Sequence, residues 1–200
     1  MNKGKRTRER IIAEAATLFN QHGFEGGSIS ELMKATGLEK GGIYRHFSSK
    51  EELAAEAFDH AWREALAVRM LDLDEVPNTA DQLKQFIANF VNRRPSIPGG
   101  CPLLNAAIDT DDGNPVVRER ARKALRGWRE ALVSIIRAGV KKKEINRGVD
   151  ALKLANLIIS SLEGALMISR LERDREALVD AQAHLDHYIE TKVRLGTPCS

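Results

Sequence analysis

Apolar residues recur with helical period along most of this chain. Between Thr7 and His22, Ile11, Ala15, Leu18 and Phe19 stand at i, i+4, i+7 and i+8, one face of a helix that Gly23 should stop. Ser28-Ile29-Ser30-Glu31 has the spacing of a capping box, in which the serine hydroxyl accepts a backbone N–H three residues on and the glutamate reaches back. It predicts a short helix with Leu32 and Met33 inward, ended at Gly37. A third short helix fits Lys40 to Phe47. Ser49-Lys50-Glu51-Glu52 is a second capping box and opens a longer helix through Leu53, Ala57, Trp62 and Leu66, to about residue 71.

The pattern breaks from Leu73 to Thr79, where acidic residues precede Pro77-Asn78, and resumes with Leu83, Phe86, Ile87 and Phe90. Arg94 to Pro102 carries three prolines and two glycines and reads as a loop, with a helix beginning near Leu103. Asn114-Pro115 places a capping side chain before a first-turn proline, starting a long helix through Val117, Ala121, Leu125, Trp128, Leu132 and Ile136. Lys141, Lys142 and Lys143 close it, where cations suit the negative end of the helix dipole. Asp150 caps a strongly apolar helix to about Ser169, and a last helix runs from about Arg175 to Val193. No strand pattern or internal repeat is visible, so the expected fold is all-α with about nine helices.

Composition narrows the function classes. Hydrophobic residues make up 42% and charged residues 30%, the balance of a soluble globular protein. The net charge of +3 is an average over unlike parts. Residues 1–50 hold nine Lys/Arg against five Asp/Glu, whereas the other 150 hold 22 against 23. The excess therefore sits at one end, as in a chain whose N-terminal part faces nucleic acid. Two cysteines, Cys101 and Cys199, make no disulfide framework and no zinc-finger spacing. Met1 to Arg10 is basic with no apolar stretch behind it, unlike a secretory leader. Apolar runs such as Leu157-Ile158-Ile159 are interrupted early, so no membrane span is expected and a cytoplasmic location is.

Ser28 to Phe47 carries the chemistry. Two short helices meeting at Thr36-Gly37-Leu38, where glycine permits a left-handed turn, fit a helix-turn-helix. The second helix of such a unit lies in the major groove and meets base edges with its N-terminal residues. Ile43 and Phe47, at i and i+4, would anchor it, leaving Lys40, Gly42, Tyr44, Arg45 and His46 outward. Tyr44, His46 and Lys50 are assigned mainly to phosphates, and the N-terminus of the Lys50 helix can meet a phosphate with its backbone N–H groups. Lys40 and Arg45 are the candidates for guanine O6 and N7.

These residues carry a resemblance. Gly23-Phe24, Ser28-Ile29, Glu31-Leu32, Gly37-Leu38, Gly41, Ile43-Tyr44, His46-Phe47 and Lys50-Glu51-x-Leu53 are similar to the DNA-binding domain of TetR-type transcriptional regulators, over about Arg8 to Phe58. The resemblance implies a homodimer. Its N-terminal domain, placed at residues 1–50, binds a palindromic operator. Its larger C-terminal domain, residues 51–200, dimerises and binds a small molecule that releases DNA, with the helix from about 50 to 71 connecting the two. Ser28, Lys40, Gly41, Gly42, Tyr44, Arg45, His46 and Lys50 are the expected DNA-binding set. Asp150 to Arg170, ending Leu162-Glu163-Gly164-Ala165-Leu166, resembles one of the two helices of the family's dimeric four-helix bundle. The expected interface is thus about 150–169 and 175–193.

This chain departs from the pattern at Gly27, Met33 and Glu39, where Thr, Ala and a Ser or Thr cap are usual in the family. Gly41-Gly42 weakens the first turn of the reading helix by roughly 1 kcal/mol per glycine relative to alanine. Either that turn orders on DNA or a base approaches bare backbone there. The tail Lys3-Lys5-Arg6-Arg8-Arg10 reads equally as a solvated disordered end or as a DNA-contacting arm. Phe86, Phe90, Cys101, Asn105, Trp128 and Met167, with Arg129 as a further polar hook, are candidates to line an effector pocket or to be ordinary core.

Cys101, in Gly99-Gly100-Cys101-Pro102, has a second reading as a thiol sensor of electrophiles or oxidants, as in some TetR-type regulators with a similar segment. Its plain reading is a small buried residue. His184 and His187 flank Asp186 at a spacing that permits a metal, but without a third ligand a surface or dimer role is the reading; no metal or cofactor is expected. The expected function is a ligand-responsive DNA-binding repressor. Its rivals are a helical-bundle enzyme, for which no nucleophile–base or paired-carboxylate constellation is found, and a helical adaptor without DNA binding.

Overall fold

The computed structural model describes residues 3–110 and 114–196. Cys199, among others, lies outside the described residues. Nine α-helices follow one another, with no strand among the described residues: α1 Lys3–Gly26, α2 Ile29–Thr36, α3 Lys40–Tyr44, α4 Lys50–Arg69, α5 Thr79–Asn92, α6 Pro102–Asp109, α7 Pro115–Lys142, α8 Ala151–Glu172 and α9 Glu176–Tyr188. A 3₁₀ turn, Leu73–Glu75, occupies part of the expected loop, and a π-helical turn, Ile189–Val193, extends α9. Among the described residues Ile145 and Arg194 form an isolated antiparallel bridge.

The helix signals act as their chemistry predicts. Ser28 accepts from the Glu31 N–H at 3.2 Å while the Glu31 carboxylate accepts from the Ser28 N–H at 3.0 Å. Asn78 caps α5 through the N–H groups of Ala80 and Asp81, Asn114 caps α7, and Asp150 caps α8. The box at Ser49 differs from expectation by one residue. Ser49 does accept from the Glu52 N–H, but Glu52 reaches back to the N–H and hydroxyl of Ser48. The N-terminal tail is helical from Lys3 onward, in place of the disordered end, one of its two expected readings. Arg8 within it is paired with Glu56 and lies 4.7 Å from the Phe47 ring centre, so its charge is engaged inside the protein.

The chain forms two compact units. The first comprises the described residues within Met1–Leu66 and Pro95–Leu125, and so holds residues 1–50, most of α4, α6 and the start of α7. Its core is built from Ile11, Ala15 and Ala16 of α1, Leu32 of α2, Ile43 of α3, Phe47, and Leu53, Ala57 and Ala61 of α4, with Ile97 added from the loop. The second comprises the described residues within Ala67–Arg94 and Arg126–Ser200. Leu83, Phe86 and Ile87 of α5, Trp128, Leu132 and Ile136 of α7, Leu154, Ile158 and Leu162 of α8 and Leu185 of α9 are all buried there.

Ala151–Glu172 is more continuously apolar than its interrupted sequence suggests. By length and composition it could cross a membrane, with a mean hydropathy of 1.5 over its 18-residue window. Only a third of that window is buried within the chain. Leu154, Ile158 and Leu162 form its inward face, while Leu157, Ile168 and Leu171 remain outside. α8 is thus apolar on two faces, of which the described residues cover one.

Candidate nucleic-acid interface

In the first unit α2 and α3 meet at Gly37, whose φ of 65° is the left-handed turn the motif requires. Its N–H closes α2 on the Met33 carbonyl at 2.8 Å. α3 spans Lys40–Tyr44, so the helix is shorter than the expected Lys40 to Phe47. Two of those five residues are glycines, and Glu39 gives no side-chain cap, so only backbone bonds from Gly42 and Ile43 to the Glu39 carbonyl start the turn. Ile43 and Phe47 are buried in the core of the unit and fix the underside of the element.

The opposite side is open. Lys40, Gly41, Tyr44 and Arg45 are exposed, while Gly42, His46, Lys50 and Ser28 are half-buried. No protein atom among the described residues lies within 4 Å of where a Cβ would stand on Gly41, so packing within the protein does not demand glycine there. The Lys40 ammonium lies 6.0 Å from the Tyr44 ring centre and the Lys50 ammonium 4.5 Å from that of Phe24, both short of a formal ion pair. Gly27, a departure from the family pattern, has a local reason: a Cβ there would stand 2.5 Å from Cδ1 of Phe19. The expected DNA-binding set thus lies within Ser28 to Lys50, with Lys40 and Arg45 at the surface and Lys50 half-buried.

The expected effector-pocket residues divide. Phe86, Phe90 and Trp128 come together in the second unit, with Trp128 stacked on Phe90 at 6.3 Å and 7° and tilted against Phe86 at 6.1 Å. Arg69, which sequence reasoning passed over, places its guanidinium 4.6 Å from both the Phe90 and Trp128 ring centres. Nothing in its helical position distinguished it from a surface arginine. Arg129 has its Nε buried without a hydrogen-bond partner among the described residues. Met167 is a correction: it is 46% exposed on α8 and lines no interior.

Cys101 and Asn105 lie in the first unit. The Cys101 thiol is 2% exposed at the residue preceding α6. Asn105 borders an open cleft with Phe19, Phe24, Phe58 and Asp109, and its amide donates to backbone carbonyls of Asn20 and Gly99. His184 and His187 are exposed on α9, and among the described residues no three His, Cys, Asp or Glu converge on a metal position.

Residues 11–57 match the model of bacterial regulatory proteins of the tetR family, and residues 79–185 match that of the tetracyclin repressor-like C-terminal domain. A TetR transcriptional regulator from Chloroflexus aurantiacus J-10-fl superposes with a TM-score of 0.93 at 46% identity, covering 98% of this chain and all of that one. The regulator of the same family from Cytophaga hutchinsonii superposes at 0.91 with 32% identity, covering 98% and 99%. Among curated relatives, the HTH-type transcriptional repressor DhaR of Mycobacterium sp. strain GP1 is 24% identical over 86% of each chain. Both halves of the chain match models of one family, and the helix-turn-helix geometry agrees with them: the chain belongs to the TetR family of bacterial transcriptional regulators.

Proposed function

We propose that this protein is a cytoplasmic homodimeric repressor that binds a palindromic operator through α3 and leaves it when a small molecule occupies the C-terminal region. The observation that carries the reading is the two-sided build of α3, with Ile43 sunk in the core while Lys40, Gly41, Tyr44 and Arg45 face solvent. Lys40 and Arg45 donate to guanine O6 and N7, and Tyr44, His46, Lys50 and Ser28 meet phosphates. At Gly41 and Gly42 the duplex approaches backbone that carries no side chain.

A second copy covers the outer face of α8. Leu157, Ser161, Gly164, Ile168 and Leu171 follow one another at helical spacing along it. Leu157, Ile168 and Leu171 are exposed, with Leu171 at 75%, and Val179 of α9 is exposed as well. Two such helices from each copy make an isologous four-helix contact, which sets two reading helices at a fixed separation. The effector meets the Phe86–Phe90–Trp128 cluster of the second unit.

The test is binding of the purified full-length protein to duplex DNA across a salt series, with sedimentation to read its mass. A dimer whose log affinity falls steeply with log salt is expected. A monomer, or no salt-dependent binding, overturns the reading in favour of a helical adaptor.

A further inference from the structure

α1 is broken at one place, and α6 fills the break. At Gly23 the backbone turns to φ 76° and ψ 169°. An unbroken helix would aim the Phe24 N–H at the Asn20 carbonyl. Here that N–H donates to Asp109 Oδ2 at 2.7 Å, and the Asn20 carbonyl accepts from Asn105 Nδ2 at 3.0 Å. Asn105 and Asp109 are four residues apart, so they stand on one face of α6, one turn from each other. One turn of α6 therefore offers a donor and an acceptor to the two groups that the break in α1 leaves without each other. Glycine is required at 23 twice over: φ is positive, and a Cβ would stand 2.8 Å from Asp109 Oδ1.

The splice reaches the DNA-facing surface chiefly through the Phe24 ring, the nearer of two rings under the Lys50 ammonium, Phe19 being the other at 5.9 Å. Phe24 packs against Phe19 with ring centres 6.1 Å apart, and the Lys50 ammonium rests 4.5 Å from the Phe24 centre. Lys50 opens α4 and is the cation placed above on a phosphate. We propose that Asn105 and Asp109 are positioning residues for operator binding: by completing the broken turn of α1 they hold Phe24, and through it Lys50, where the phosphate contact is made. A shift of α6 along its axis undoes both bonds together. This rests on the reading of the first unit as the operator-binding surface.

The charge change makes the test sharp. Removing the Asp109 carboxylate takes a negative charge from a DNA-binding unit, which by electrostatics alone strengthens binding. Full-length wild type, Asp109→Leu, Asp109→Asn, Asn105→Leu and Lys50→Met are titrated onto a duplex selected by the wild type from a random pool, over a salt series. Asp109→Leu and Asn105→Leu are expected to bind about tenfold more weakly, with the salt slope reduced by about one phosphate contact, as in Lys50→Met. Asp109→Asn keeps an oxygen acceptor and is expected to restore the wild-type slope. Asp109→Leu with Lys50→Met should lose little beyond either alone, because the two act on one contact.

If Asp109→Leu does not fold, Asp109→Ala carries the same comparison. Wild-type affinity and slope in the leucine or alanine variant, or losses that add in full with Lys50→Met, overturn the proposal while operator binding stands. Absence of duplex binding by the wild type overturns both.

Discussion

Arg69 and Glu163 form an ion pair inside the second unit, with guanidinium nitrogen and carboxylate oxygen 3.7 Å apart and side chains only 5% and 12% exposed. Arg69 also lies over Phe90 and Trp128. Two charges out of water stabilise little as a pair but are costly when parted. Glu163→Ala is therefore expected to lower unfolding stability by about 3 kcal/mol, whereas Arg69→Met with Glu163→Leu should lose much less. Urea unfolding at fixed protein concentration measures both. A double variant as unstable as the sum of the singles would show that the pair is not one unit.

Acid should weaken the fold through its capping carboxylates. The N–H and hydroxyl of Thr79 both donate to Glu144 Oε2, at 2.8 and 2.7 Å, and hold its pKa below the ordinary 4.5. Ser28 does the same for Glu31, Ser48 for Glu52, and Lys84 with Arg194 for Glu190. Each charged form is favoured by folding, so its contribution is complete above about pH 4.5 and is lost as pH falls through the lowered native values. Asp186, raised above 3.8 chiefly by burial, works in the opposite sense but is alone among these groups. Thermal melts from pH 7 to 3 should show the midpoint falling steeply below about 4.5, and less steeply in Glu144→Gln.

The two classes of DNA contact should separate in mutants. Lys40→Met and Arg45→Met are each expected to cost about 1–3 kcal/mol on the selected duplex and to relax preference at one base pair per half-site. Tyr44→Phe should weaken binding to all duplexes alike. Anisotropy titrations on the selected duplex and on single-base variants distinguish these outcomes.

Ile168→Glu and Leu171→Glu should dissociate the proposed dimer. A carboxylate set into an apolar contact loses its hydration without gaining a partner, so self-association should weaken by at least about tenfold while helicity is kept. Sedimentation equilibrium and circular dichroism read the two. Unchanged mass would place the dimer contact elsewhere.

Cys101 should react slowly. Its thiol is 2% exposed, so a thiol reagent must wait for local opening. In a Cys199→Ser variant, modification of the native protein is expected to be at least about a hundredfold slower than in urea. Fast modification that abolishes operator binding would favour the thiol-sensor reading.

Local rules made most elements legible. Ser28 with Glu31, Asn114 with Pro115 and Asp150 announce helix starts because a cap is satisfied within four residues of chain. Ile43 announced the buried side of α3 because helical period decides which residues share a face, and Phe47, just past the helix end, is buried with it. Arg69 was illegible, since its partners Phe90, Trp128 and Glu163 are distant in sequence and its charge gave no sign of burial. The grouping of Phe86, Phe90 and Trp128 with Met167 failed for the converse reason: α8 is apolar on two faces, and periodicity does not say which one turns inward.

The sequence by itself determined an all-helical chain, a helix-turn-helix and the exposed side of α3 that carries Lys40 and Tyr44, because caps, turns and amphipathic faces depend on residues at most a few turns apart. Tertiary structure alone decided that a glycine expected to end α1 instead opens it to α6. The broken bond between Asn20 and Phe24 is met by Asn105 and Asp109, some 85 residues further on. Hydrogen-bond partners supplied across such a distance leave no period and no local spacing. Only packing brings them together.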